Sequence, residues 1–383
     1  MTRLPPWIHD RIQVTDVGDL RNRIEAGPPS GSCWVPLGGG RHLGRGAPPR
    51  LPGVALDLGK MNRVLEHAVD DLTITVEAGC DLNTLATTLD KAGQWIPGMP
   101  RGPMTVGGWI AADLRSCLVG GLGSVRDVLL RVVLLDGRHR RVEAGAKVVK
   151  SVAGYDLMKL VTGSLGSLGV VVEATFRVLP RPRARGAVRG PRPSSPAGQR
   201  ACMDHLIRMW QPEAVIAHGD ETPTWTVVVA GPAARVEAAT RDIVGVIEGG
   251  EPLDSRATHN AITTFDHGIA GGGEWLGWGG ALPGDLASFD LPPATGERFV
   301  ADLLRGHLWL RFPQRPEAER VAVIRSALAG VGGVLHLDAP GSNVPPDPWG
   351  TCREGEATLF AGIRQRFDPD GVWPAGRLPG DGA

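Results

Sequence analysis

The chain has 383 residues, 42% of them hydrophobic and 21% charged, a composition that suits a folded soluble protein with room for two cores. Its 41 Lys and Arg balance its 41 Asp and Glu, so no net field draws it to nucleic acid or to an anionic membrane. No apolar run approaches about 18 residues, so no direct membrane span is expected; the segment Met1 to Asp10 lacks the apolar stretch of a secretion signal, and a cytoplasmic setting follows, with any membrane association made through partners.

The five cysteines, Cys33, Cys80, Cys117, Cys202 and Cys352, are scattered and form no C-x-x-C pair. Such spacing clamps neither zinc nor an iron–sulfur cluster, so reduced and mostly buried thiols are expected.

In chain order, short strand patterns and glycine-rich turns alternate from residue 34 to 180. Val54 to Leu58 reads as a strand, and Leu72 to Glu77 alternates apolar and polar residues. Leu82, Leu85, Ala86 and Leu89 fall at i, i+3, i+4 and i+7, with Asp81 placed to cap the helix and Gly93 just past its end. Val128 to Leu135 is an apolar strand, joined through Asp136-Gly137, a two-residue hairpin turn by composition, to Arg138 to Glu143. Val170 to Leu179 is a further strand. Residues 180 to 198 carry Pro180, Pro182, Pro191, Pro193 and Pro196 with arginines and serines, the composition of a linker or surface loop.

Beyond it the pattern becomes strand, helix, strand. Strands are expected at Ala214 to His218 and Thr224 to Ala230, and a helix at Ala233 to Ile247. Residues 249 to 297, rich in glycine, proline and tryptophan, give no clear pattern. A strand at His307 to Phe312, a helix at Glu317 to Leu328 and a strand at Val334 to Asp338 complete a second such unit, and two of them suit a sheet with helices on one face. A last helix is expected at Ala357 to Phe367.

Four segments have residues suited to chemistry. Pro36 to Gly44 contains Gly38, Gly39 and Gly40 followed by Arg41 and His42. Three successive glycines strip a turn of Cβ atoms, letting main-chain N–H groups converge on an anion such as a diphosphate. This is neither a Walker loop nor a G-x-G-x-x-G fingerprint. Pro103 to Ala112, with Thr105, Val106, Gly107 and Gly108, places small residues at the expected start of a helix, where free N–H groups and the dipole face a phosphate. The third segment is Gly121 to Asp127; the fourth runs from Val149 to Leu157 and on through Gly163, Gly166 and Gly169 to Val170. Singly, each reads as well as a structural turn with core packing.

Together, in this order and spacing, the four segments resemble the two-lobed PCMH-type FAD domain of the vanillyl-alcohol-oxidase and p-cresol-methylhydroxylase family. Within it, the run Lys150 to Tyr155, the glycine ladder and the ending Phe367 to Leu378 are most similar to the FAD-binding E subunits of glycolate oxidases. The resemblance implies an α+β fold: a PCMH-type FAD-binding domain over 1–180, the Pro/Arg-rich linker at 181–198, and a smaller α+β cap on the substrate side over 199–355. The helix and tail of 356–383 would return to the FAD domain.

Carried over residue by residue, Gly38 to His42 would wrap the FAD diphosphate, and Thr105 to Gly108 would contact phosphate and ribose. Asp113, Ser124 and Asp127 would lie near polar parts of the cofactor, and Gly169 and Val170 would approach the flavin or adenine through main-chain groups. Leu37 stands where relatives often carry a polar residue. Arg41, not a histidine, directly follows the glycines, so FAD is expected to be bound non-covalently.

The second half declares no catalytic base. His259, His267, His307 and His336 stand apart, and Trp225, Trp275, Trp278 and Trp309 most simply fill a core. The fragment Ala217-His218-Gly219-Asp220 has one histidine and one carboxylate, short of a metal site. The resemblance therefore implies an FAD-dependent oxidoreductase subunit of a complex that oxidises glycolate or another small 2-hydroxy acid. A homologous FAD-containing catalytic subunit and an iron–sulfur subunit would be its partners. Two alternatives stand beside it: a structural or flavin-holding subunit without turnover, and a stand-alone FAD oxidase or dehydrogenase of another alcohol, sugar or lactone.

Overall fold

The computed structural model describes residues 4–118, 123–147, 157–219, 222–269, 275–287, 289, 294–340, 343, 345, 347–350 and 355–379, with the side chains of 264–269 left aside. The run Lys150 to Tyr155, residues Gly121 and Leu122, and the pair Asp220 and Glu221 lie outside them. The chain divides into two compact units: 1–114 with 122–180 and 338–383, and 115–121 with 181–337. Each mixes helix and strand, as the α+β reading requires.

The first unit contains two main sheets among the described residues. In one, Gly53–Asp57 lies between Ile8–Gln13 and Cys33–Leu37, all parallel. Its central strand is buried at every position, which is why it reads as a continuous apolar run. The other sheet is antiparallel, in the order Val64–Ala68, Thr73–Glu77, Val170–Arg177, Leu129–Leu135, Arg141–Gly145. Val54 and Leu56 from the first sheet and Val133, Leu135, Val170 and Val172 from the second share one core, closed by fully buried Trp373 of the C-terminal tail.

Helix Leu82–Lys91 forms as its spacing requires: Leu82, Leu85 and Leu89 are buried, and Asp81 accepts from the N–H groups of Asn83 and Thr84. Asp136-Gly137 does not make a two-residue turn. The loop runs from 136 to 140 because the fully buried Asp136 carboxylate gathers the N–H groups of Arg138 (3.0 Å) and Arg140 (2.9 Å) and the Arg140 guanidinium. An internal carboxylate with three donors outweighs the local turn preference.

The tail is seated by Asp368. Its carboxylate accepts from Val372 N (2.8 Å), Trp373 N (3.1 Å) and Arg364 Nη2 (2.9 Å). Trp34 N then donates to Val372 O, and Arg50 N to Ala375 O, tying the tail to the parallel sheet and the loop after the glycine run.

The second unit is built on an eight-stranded sheet. Residues 181–198 are not a linker: Ala184–Pro191 pairs along its whole length with Thr224–Gly231 and also with Glu251–Leu253, inside that sheet. A helix, Pro196–Trp210, follows at once, capped by Ser195. The prolines punctuate these elements rather than dissolving them. Pro191 ends the strand, and Pro196 opens the helix where its missing N–H costs nothing. The stretch without a clear pattern contains helix Ser255–Ile269 and strand Trp275–Gly280. The helices Ala233–Val246 and Ala318–Ala329 and the strands His307–Phe312 and Val334–Asp338 fall where the pattern placed them.

Candidate functional site

A cleft opens within the first unit. Its walls bring together most of the expected cofactor residues: Gly38, Gly39, Gly40, Arg41, His42, Thr105, Gly107, Gly108 and Gly169. The glycine run also borders a second hollow with Arg11, Asp81 and Pro103. Five expected residues fall outside the cleft lining. Val106 and Val170 are fully buried in the core, and Asp113 closes helix Val106–Ala112 in a left-handed conformation. Ser124 and Asp127 cap one another at the start of Val125–Val128: the Asp127 carboxylate accepts from Ser124 N (2.8 Å) and Oγ (3.2 Å).

The glycine run leaves the strand Cys33–Leu37 and turns beneath Thr105. A Cβ on Gly38 would overlap the Thr105 hydroxyl, and Gly40 has φ +71°, a conformation only glycine adopts without strain. Gly38, Gly40 and Arg41 donate no main-chain hydrogen bond among the described residues, so their N–H groups remain available to a ligand.

The start of helix Val106–Ala112 behaves differently from its sequence reading. Val106 N donates to Cys80 O (2.9 Å), Gly107 N to Ala78 O (2.7 Å) and Gly108 N to the Thr105 hydroxyl (3.2 Å). The first N–H groups are therefore spent on the protein itself. What this segment offers a ligand is a surface without side chains: a Cβ on Gly107 would already press on Ala78 at 3.1 Å.

Three cationic or basic side chains face this space: Arg41, His42 and Arg377. Burial, then the charges of Arg45 and Arg41, depress His42 to a pKa of about 3, so its ring is neutral at physiological pH. Its Nε2 is buried and without a hydrogen-bond partner. Arg377, 2% exposed, donates from Nη2 to Leu43 O (3.1 Å) and Arg45 O (2.6 Å), while Nε and Nη1 lack partners. Burial lowers its pKa to about 10, which leaves it charged. Arg377 was not singled out as a site residue by the sequence. The only signal was its place in the Phe367 to Leu378 ending, more than 330 residues after the glycine run.

Buried, unpartnered donors beside a turn with open main-chain N–H groups and a wall lacking Cβ atoms suit a long ligand carrying an anion and a flat ring. Residues 11–145 match the model of the FAD binding domain family. This stretch is an FAD-binding domain. The flavoprotein's PCMH-type fold is matched by alkyldihydroxyacetonephosphate synthase, with a TM-score of 0.66 at 12% identity over 95% of this chain and 76% of that one. Glycolate oxidase subunit GlcE of Escherichia coli is 29% identical over 345 residues, 86% of this chain and 88% of that protein. Other relatives are matched over shorter stretches. Glycolate oxidase subunit GlcD of Bacillus subtilis is 34% identical over 39% of this chain and 33% of its own length. D-lactate dehydrogenase of Anaerostipes hadrus is 31% identical over 41% of this chain and 32% of its own length. The flavoprotein is an FAD-dependent oxidoreductase by this kinship.

His307 takes a hydrogen bond from Arg115 Nη1 (2.5 Å to Nε2), and His336 packs on Trp278 at 4.5 Å between ring centroids. His218 lies within 3.4 Å of the Thr226 hydroxyl, inside a strand. Trp225 and Trp309 are buried in the sheet's packing, and the side chain of His267 lies outside the described residues. Among the described residues no group of three metal-ligating side chains is placed to hold an ion. Cys33, Cys80, Cys117 and Cys202 are buried and outside any disulfide, and burial raises three of these thiols, Cys33, Cys80 and Cys202, to about 11. No described helix is long and apolar enough to cross a membrane.

Proposed function

We propose that this chain is the FAD-binding subunit of a complex that oxidises glycolate or a similar small 2-hydroxy acid. The observation that carries the proposal is the likeness to GlcE along 88% of that subunit's length, where GlcD and D-lactate dehydrogenase are covered over only 33% and 32% of theirs. Bound FAD supplies two-electron redox chemistry at its isoalloxazine ring. The chain's own residues have defined tasks. Gly38 to Arg41 hold the diphosphate through main-chain N–H groups, and Thr105 fixes the height of that turn. His42 contributes a neutral ring nitrogen and moves no proton near neutral pH. FAD is held non-covalently, and electrons leave through an iron–sulfur partner, since this chain's cysteines are dispersed. Residues 199–355 are assigned the substrate side, and the setting is cytoplasmic, with membrane association through partners.

A second reading, a flavin-holding subunit without turnover of its own, is favoured by one observation. Among the described residues lining the cleft there is no carboxylate and no histidine poised near neutral pH to take the proton of a substrate hydroxyl.

Both readings are tested on the purified chain by absorbance before and after denaturation, then by titration with glycolate and D-lactate, alone and with homologous and iron–sulfur partners. Flavin released on denaturation, with bleaching only in the complex, supports the proposal. Bleaching by the isolated chain removes the multi-subunit claim. A Gly39→Asp subunit that leaves the complex fully active favours the scaffold reading, because a carboxylate there repels a diphosphate.

A further inference from the structure

Arg377 is the most deeply buried cation in the cleft wall, at 2% exposure, and it forms no ion pair with a carboxylate among the described residues. Asp338, the acid whose charge acts on it, is held by Arg45 at 3.2 Å. Two carbonyls satisfy Nη2 alone, leaving Nε and Nη1 without partners. A buried guanidinium with three of its five N–H donors idle is costly unless an anion completes it. The Trp7 ring, 5.1 Å from the guanidinium carbon, supports the cation but cannot accept those N–H bonds.

We infer that Arg377 pairs with the diphosphate of bound FAD through its idle donors, adding a buried charge from the C-terminal tail to the main-chain donors of the glycine turn. The inference rests on the cofactor reading above. FAD's permanent anion is its diphosphate, whose oxygens accept from a guanidinium in charge-assisted hydrogen bonds. The glycine turn offers main-chain dipoles beside an Arg41 that is exposed, and the donors at the start of Val106–Ala112 are already taken. Arg377 is fixed in place from both sides: Trp349 Nε1 donates to its carbonyl (2.8 Å), and Arg50 N holds Ala375 O. FAD binding and tail docking are then one linked equilibrium, so each stabilises the other.

The test uses the full chain freed of flavin and titrated by fluorescence with FAD, ADP and riboflavin, together with the variants Arg377→Met and Arg377→Lys. The expected result is a loss of FAD and ADP affinity of about 30-fold or more in Arg377→Met, from two charge-assisted hydrogen bonds, with riboflavin unaffected. Inorganic pyrophosphate raises the melting midpoint of wild-type apoprotein and not that of Arg377→Met. The variant apoprotein melts no lower than wild type, because an uncompensated buried charge has gone. If Arg377→Met does not fold, Arg377→Lys, which keeps the charge without the fork, carries the same test with a smaller loss. FAD and ADP binding within threefold of wild type overturns the inference, as does a loss confined to riboflavin. A wild-type chain that binds no FAD at all sinks the cofactor reading instead, so the two failures are distinct.

Discussion

Gly38 and Thr105 approach so closely that the first carbon of any side chain at 38 would coincide with the Thr105 hydroxyl. That hydroxyl also caps helix Val106–Ala112 by accepting from Gly108 N. The cofactor turn and the helix start are thus set by one atom, Thr105 Oγ1. In Gly38→Ala the threonine must rotate away, giving up its cap while the turn lifts. The expected outcome is a stability loss of about 1–3 kcal/mol and sub-stoichiometric flavin in the purified protein. Full flavin content and an unchanged melting midpoint would refute the close approach.

Ser124 and Asp127 are a local cap and lie outside the cleft lining. Asp127→Ala should cost about 1 kcal/mol of stability through the lost cap, with FAD affinity within about threefold of wild type. Denaturant unfolding and flavin titration of the same preparation measure both. A selective collapse of FAD binding would instead place Asp127 against the cofactor.

The tail depends on Asp368, whose carboxylate is 3% exposed and collects two main-chain N–H groups and an arginine. Asp368→Ala leaves those donors buried and unanswered, at a cost of about 2–4 kcal/mol. Hydrogen exchange reports it directly: the amides of Trp34 and Arg50, bonded to Val372 and Ala375, should exchange faster than those within the strand Gly53–Asp57. Equal protection in variant and wild type would show that the tail is seated by Trp373 alone.

A pH effect is expected from the second unit. Burial raises the Asp302 carboxyl to about 6, above its ordinary unfolded value of about 3.9. The folded state then holds the proton more tightly, so this group's contribution is fully present below about pH 4 and lost as pH rises through about 6. The loss amounts to as much as about 3 kcal/mol. Asp302→Asn retains an acceptor for Leu304 N and should flatten the decline between pH 4.5 and pH 7. Unfolding free energies that fall in parallel for both proteins would exclude Asp302 as the cause.

Much of the fold was legible because local chemistry and tertiary context agree. Asp81, Leu82, Leu85 and Leu89 spell their helix, and Val54 to Asp57 its buried strand. The glycine run was also legible as a site, since a turn without Cβ atoms has the same consequence wherever it sits. Residues 184–191 were not, because their proline-rich surroundings carry no record of the strands at Thr224–Gly231 and Glu251–Leu253 that accept them. A strand's pairing is non-local, and composition reports only local preference. The occupied donors of Val106 and Gly107 were hidden for the same reason: Cys80 and Ala78 reach them only across the folded unit.

The amino-acid order by itself determined that a turn stripped of Cβ atoms follows residue 37, that the chain is free of net charge, and that its cysteines cannot hold a cluster locally. These follow from residue identity and spacing, which folding does not alter. Only the tertiary structure decided which N–H groups remain for a ligand and which cation stands beside them. Arg377 reaches Leu43 and Arg45 because the tail packs Trp373 into the first unit's core. Contacts between residues so far apart in sequence are set by burial and hydrogen-bond satisfaction of the whole unit, and no local pattern encodes them.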